Sequence, residues 1–538
     1  MAPTTAGEAD PLVLGRAALD GADWDEARAH FQEAAASQDS GAAWEGLSWA
    51  AWWQGDLDAT FGARERAFRV YRQADDACGA ARMAMWLASD HFDFRGDDAV
   101  ASAWLRRAQA LVDSHRPCAE QGYNLLMAAD IALFAHADPA AALEKAHEAI
   151  ELARRIPDVG VEVVAHAILG SALVARGDVE DGLRRLDDAA ALAIAEDFDL
   201  MVAPGWALCH TVSVCTNVGD FGRASQWCRA MHTWSARWHG RHFFGTCRTA
   251  YGDVLATSGD WTTAEEELSS ALQDMRSSRP AMAASTAVRL GRLRASQGDP
   301  AAARELFESA LPLPAAVLAL GELDMDAGDP LAGVDAADRV LRNLGGPSVL
   351  ERFPAVELRG RAAARAGDAA AAAAAAEELE QTAERLGTPY MRGRSRLVGA
   401  DVLGAAGYHD AARRAAEDAV DLFGRCSAPY DAARARLALA GALRALGREE
   451  RAAAEERAAR DALSRLRAVR DAAAAEELSP RETEILRLVA QGSGDAEIAA
   501  RLFLSPHTVH RHVANIRAKL RTPSRAAAVA YASRNGLL

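Results

Sequence analysis

Through the first 460 residues one phrase of apolar and polar positions recurs: a short apolar stretch, then Gly-Asp, then a small residue four places after the aspartate. It stands at Gly55-Asp56, Gly96-Asp97, Gly177-Asp178, Gly219-Asp220, Gly259-Asp260, Gly298-Asp299, Gly328-Asp329 and Gly367-Asp368. Degenerate copies are Ala22-Asp23, Ala137-Asp138, Gly407-Tyr408 and Gly447-Arg448. The steps between the twelve second positions are 33, 41, 41, 40, 42, 40, 39, 30, 39, 40 and 40 residues. Glycine takes the left-handed conformation that ends a helix, and aspartate caps the next one, so the phrase predicts a helical hairpin. The small position is Ala27, Ala101, Ala142, Gly182, Ala224, Ala264, Ala303, Gly333, Ala372, Ala412 and Ala452, with Thr60 the exception. Seven residues further on, on the same helical face, stand Ala34, Ala67, Ala108, Ala149, Ala189, Ala271, Ala310, Ala419 and Ala459. Strand-like alternation is absent and β-branched runs are short, which predicts an all-α chain.

These residues resemble the tetratricopeptide repeat, a helix–turn–helix unit of about 34 residues with small residues at its packing positions. The period here is nearer 40. The resemblance implies an α-solenoid of about twelve hairpins over residues 12–465, with a concave face suited to a peptide, a protein or a small molecule. Residues 1–11 are expected to be disordered, and the polar run 466–477 to be a helical linker. The alanine run Ala369–Ala376 reads as helix.

Sixty residues at the C-terminus differ in kind. Residues 478–538 hold nine Lys/Arg against four Asp/Glu, a net of +5; the rest holds 51 against 72, a net of −21; together they give −16. A small basic module on a large acidic array is the charge layout of a nucleic-acid reader attached to a sensor. Leu478-Ser479-Pro480-Arg481-Glu482 carries a capping serine, proline at the first helical position and glutamate at the third. A helix follows to Ala490, a second begins near Gly494-Asp495, Ser505-Pro506 caps a third from His507 to about Leu520, and a fourth covers Ser524–Arg534. Within the third, Val509, Val513, Ile516 and Leu520 form an inward face.

This module is similar throughout to the LuxR-type (GerE-like) helix-turn-helix domain, through Arg481-Glu482, Glu497-Ile498-Ala499, Leu502, Ser505, Thr508-Val509, His512, Ile516, Lys519-Leu520 and Arg525. The resemblance implies double-stranded DNA as partner, with the third helix in the major groove. His510, Arg511 and Ala514 are then expected nearest the base edges, Arg511 being suited to a bidentate contact with guanine. Thr508, Arg517 and Lys519 are expected on phosphates; His512 is open to a phosphate contact or a structural role. The family usually has Lys where this chain has His510, and Ser/Thr-Asn where it has Gly494-Asp495. Neutral pH leaves most unperturbed histidine uncharged, and Asp495 is expected to add a negative charge near the DNA backbone. The resemblance also implies that the fourth helix pairs two subunits, through Ala527, Val529, Ala530 and Tyr531.

Other chemistry is sparse. The chain has two lysines, Lys145 and Lys519, and no GxxxxGK[ST], so no ATP-binding P-loop is expected. No GxSxG, HExxH or local Cys/His nucleophile arrangement is present, so no enzyme is expected. Seven cysteines without CxxC predict neither a disulfide framework nor a zinc finger. No run approaches the roughly 18 apolar residues of a membrane span, and MAPTTAGEAD is not a signal peptide; the expectation is a soluble cytoplasmic protein without cofactors.

All twelve tryptophans lie at or before Trp261. Trp44 and Leu47 match the repeat's first-helix spacing and read as core. Around Trp206, Trp227, Trp234, Trp238 and Trp261, with Cys209, His210, Cys215, Cys228, His232, His239, His242 and Cys247, core packing stands beside an aromatic pocket and a metal site; no metal site is expected. The functional expectation is a dimeric LuxR-type transcriptional regulator whose array senses an effector. The alternative is an interaction scaffold with a degenerate helix-turn-helix.

Overall fold

The computed structural model describes residues 10–113, 117–156, 158–195, 198, 202–235, 245–344, 348–476, 480–502, 504–505, 509–510, 512–513, 516–517, 520 and 524–534. Among the described residues the regular elements are all helices. Twelve hairpins, numbered here in chain order, run from the pair Pro11–Asp20 and Trp24–Ser37 to the pair Pro429–Ala445 and Glu449–Glu476. The last helix therefore continues through nearly all of the expected linker.

Every predicted turn closes as its residues require. The residue before the cap has φ of +60° at Ala22, +50° at Ala137, and between +69° and +105° at the ten glycines. The next residue's N–H donates back across the turn, as from Asp56 to the Ala51 carbonyl at 3.0 Å. The side chains of Asp23, Asp56, Asp138, Asp220, Asp260, Asp299, Asp329 and Asp368 then accept from N–H groups of the following first turn. Asp97 instead stands 3.3 Å from His91 Nδ1. In hairpins 3 and 4 the helix widens before the turn into a π segment, His91–Arg95 and Ile131–Ala135. There the closing bond spans one residue more, from Asp97 to His91 and from Asp138 to Ala132. One inserted residue explains why the flanking steps reach 41.

Both sets of small residues are buried, and the first set meets the partner helix of its own hairpin at Gly182 and Gly333. The approach is tightest at Gly182, where a Cβ would stand 2.6 Å from the Gly170 carbonyl oxygen.

A period near 40 coils the array tightly enough for successive superhelical turns to touch. Hairpin 5 meets hairpin 10, where Arg385 donates to the Arg176 carbonyl at 2.5 Å. Hairpin 6 meets hairpin 11, where Thr388 donates to the Val218 carbonyl at 2.5 Å and the Phe221 and Tyr390 rings lie 4.9 Å apart. Hairpin 7 meets hairpin 12, with Trp261 5.7 Å from Tyr430. One turn thus takes about five hairpins. The helix Val159–Arg176, in the middle of this coil, corrects the expectation that no apolar run reaches membrane-spanning length. It is long and apolar enough by composition, with a mean hydropathy of 1.5, and 78% of it is buried among its neighbours. A helix packed over most of its surface is apolar over most of its surface.

Hairpins 3 and 8 meet through buried charges. Arg64 is fully buried, with its guanidinium 4.8 Å from the Trp49 ring and 5.5 Å from that of Trp86, and its Nη1 is 3.1 Å from Asp90 Oδ2. Arg279, just ahead of hairpin 8, stands over Trp52 at 5.0 Å and Phe94 at 5.2 Å. Burial pushes the Asp90 and Asp93 carboxyls up, against the pull of Arg64 on the first and of Arg279 on both. Burial likewise lowers Arg64 and Arg279. The Trp24–Trp53 pair stacks at 4.8 Å in the same region; Leu47 is buried and Trp44 packs in part against the same core, so the core reading of this stretch holds.

Two outcomes test this architecture. Gly367→Ala meets no atom within 4 Å at φ +81° and should cost only the backbone term, about 1–2 kcal/mol. Gly219→Ala at φ +75° would also place its Cβ 2.5 Å from Tyr390 of the next turn, and should lower the urea midpoint further. Replacing either Asp90 or Arg64 by an apolar residue should cost about 3–5 kcal/mol by stranding the partner charge, while the double apolar replacement should cost less than the sum. Additive losses in denaturant unfolding would refute the buried pair.

Candidate nucleic-acid interface and polar groups of the array

The C-terminal module has its own core: Ile485, Leu486, Leu488 and Val489 of the helix Pro480–Ala490, Ile498 and Ala499 of Asp495–Leu502, Val509, Val513, Ile516 and Leu520, and Ala528 and Ala532 of Arg525–Arg534. The inward face read from the third helix's spacing is therefore the buried one. Gly492, at φ +87°, ends the first helix, and the Gly494 N–H donates to Glu497 at 2.9 Å at the start of the second.

Arginines lock these helices together. Arg481 donates to the Leu502 carbonyl at 2.6 Å and to Glu484 at 2.6 Å. Arg525 donates to the Ser493 carbonyl at 2.6 Å and pairs with Asp495. The first satisfies a carbonyl at a helix end, a group that otherwise lacks an intrahelical partner, and the second a carbonyl in the turn between the first two helices.

His510 projects from the third helix with a side chain 76% exposed, and its Nδ1 lies 3.5 Å from Asp495 Oδ2. His512 and Arg517 are half-buried. Thr508, Arg511, Ala514 and Lys519 lie outside the described residues, as do Ser479 and Pro506. Asp495 is not the free negative charge expected from the sequence, because Arg525, thirty residues away, pairs with it. On the last helix, Val529 and Tyr531 pack in part against the module's own core, which takes up some of the face expected to pair subunits.

In the array, the aromatic and cysteine-rich stretch resolves into structural roles. The Trp206 indole donates to Asp130 at 2.6 Å and that of Trp227 to Asp187 at 2.8 Å; Trp234 and Trp261 are buried. Trp238, His239 and His242 lie outside the described residues. Cys209 and Cys247 are disulfide-bonded, a single bridge in a chain whose sequence predicts no disulfide framework. The hairpins bring together cysteines 38 residues apart, a separation that no short motif reveals. Burial pushes the Cys228 thiol up to about 12 and raises Cys215 as well.

His210 was among the residues offered for a metal site; the fold gives it other partners. Its Nε2 is 3.0 Å from Asp130 Oδ1 and its Nδ1 is 2.8 Å from Ser171 Oγ, linking the first helices of hairpins 4, 5 and 6. A serine, a histidine and an aspartate in a row suggest a nucleophile, but Ser171 is 2% exposed and its hydroxyl donates to the Ala167 carbonyl at 2.9 Å. The row is a tie between helices. Further along, against its burial, Arg361 and Arg434 hold the Glu322 carboxyl down at about 2. A cavity of about 450 Å³ opens in hairpin 10 beside Phe353, Glu378, Thr382 and Arg385.

The sequence model of bacterial regulatory proteins of the luxR family matches residues 476–532. The chain is similar to the transcriptional regulatory protein LiaR of Bacillus subtilis, 44% identical over 63 residues, which are 12% of this chain and 30% of that one. It is 48% identical over 61 residues to the oxygen regulatory protein NreC of Staphylococcus carnosus, covering 11% and 28% of the two chains. The chain thus spans less than a third of the length of these curated relatives, and the likeness is confined to the C-terminal module. Among solved structures, the Cut9–Hcn1 assembly of the APC/C aligns with a TM-score of 0.49 at 13% identity, over 86% of this chain and 90% of that one. Residues 476–532 belong to the luxR family of bacterial regulatory proteins, and they follow a twelve-hairpin array of tetratricopeptide-like form.

Proposed function

We propose that the protein is a transcriptional regulator that binds double-stranded DNA through residues 478–538 and senses an effector through the hairpin array of residues 12–465. The luxR-family match over residues 476–532 carries this reading. The exposed His510 beside the buried Val509 and Val513 supports it, because an outward face at this point is what a helix seated in the major groove needs. Arg511 reads guanine, His510 and Ala514 stand near base edges, and Thr508, His512, Arg517 and Lys519 hold the backbone. Two subunits pair on DNA through the last helix, and a peptide, protein or small molecule in the array shifts how the two domains are presented. The site of action is the cytoplasm.

Selection of the full-length protein against a randomised duplex library, across a salt series, tests this. The expected result is enrichment of a two-fold-related site whose affinity falls steeply with salt. Arg511→Ala should lose about 1–3 kcal/mol of discrimination at one base position and leave the others unchanged. Enrichment by neither the full chain nor residues 470–538 would overturn the reading in favour of an interaction scaffold.

A further inference from the structure

Hairpins 3 and 4 begin with the helices Ala77–Asp90 and Ala119–Asp130, which lie against each other in the array. Cys78 is the second residue of the former, and Cys118 is the residue that caps the latter. They stand forty residues apart, and so both lie at the starts of the first helices of successive hairpins. Their two sulfurs and a carboxylate oxygen of Glu120 all lie within 4.8 Å of one another, and all three residues are half-buried. A tetrahedral thiolate-bound zinc ion, with metal–sulfur distances near 2.3 Å, needs its ligand atoms about 3.8 Å apart. Small side-chain rotations close the remaining gap.

The surroundings suit a cation. Arg82 donates to Glu120 at 2.5 Å and to Glu45 at 2.6 Å, which orders the carboxylate beside the sulfurs. Two thiolates, Glu120 and Glu45 carry four negative charges against the single charge of Arg82, so a divalent ion brings the group close to neutrality.

We propose that Cys78, Cys118 and Glu120 form a binding site for a thiophilic divalent cation of the zinc class, with its fourth position left to water. Binding joins the first helices of hairpins 3 and 4 at their N-termini, and so fixes the angle between two neighbouring hairpins. The proposal stands independently of DNA binding.

The test is titration of the metal-free full-length protein, with the Cys209–Cys247 disulfide intact and Cys78 and Cys118 as free thiols, with cadmium alone, followed by thiolate-to-metal charge-transfer absorption, with zinc as competitor. One equivalent with two thiolate ligands is expected. The signal should vanish in Cys78→Ser and in Cys118→Ser, weaken at least about tenfold in affinity in Glu120→Gln, and persist in Cys426→Ala. A second readout needs no variant: zinc should protect Cys78 and Cys118 of the natural chain from alkylation while leaving Cys426 reactive. Absence of a saturable signal, its persistence without Cys78 or Cys118, or equal alkylation with and without zinc would overturn the proposal. So would a pair that only oxidises to a disulfide and binds no metal.

Discussion

Each hairpin of the array closes because one residue at its turn sits at positive φ and the next returns its N–H to the helix just ended. Everything else in the array inherits its geometry from that closure. The two helices are brought antiparallel, in eight hairpins the aspartate that follows satisfies N–H groups of the second helix, and the small residue four places on lets the helices approach. Ala22 and Ala137 occupy the same conformation as the ten glycines. The demand therefore comes from the hairpin, and glycine meets it with the least strain.

Coiling turns this local rule into a tertiary one. About five hairpins complete a turn, and the loops of one turn rest on those of the next. Groups that a single extended row of repeats would leave at its edge become interior, as at Arg279 over Trp52 and Phe94. The helix Val159–Arg176 lies mostly buried in the middle of this coil, while Arg64 is buried between two indoles of neighbouring hairpins. Buried arginine and aspartate are costly unless paired, and the structure pairs them in the two hairpins that also carry a π segment or adjoin one.

The C-terminal module shows why a resemblance can be specific while the reason for each matching residue stays hidden. Arg481 and Arg525 are among the residues that carry the likeness, and their visible work is to bond a carbonyl at the end of another helix and one in the turn between two helices. Asp495 departs from the family pattern, and in isolation it reads as a charge facing DNA. Its partner Arg525 is thirty residues on, a contact that exists only after the last helix has folded back.

The sequence by itself determined the all-α class, the number and position of the hairpin turns, the packing alanines, and a LuxR-type module with its inward face Val509, Val513, Ile516 and Leu520. These are local properties: a left-handed residue, a cap and a helical period each act within a few residues of chain. Tertiary structure alone decided which hairpins touch across a superhelical turn, that Cys209 bonds Cys247, that His210 links Asp130 to Ser171, and that Cys78, Cys118 and Glu120 converge. Those pairings join residues separated by a repeat period or more. Their distances follow from small rotations accumulated between successive hairpins, which no short window of sequence encodes.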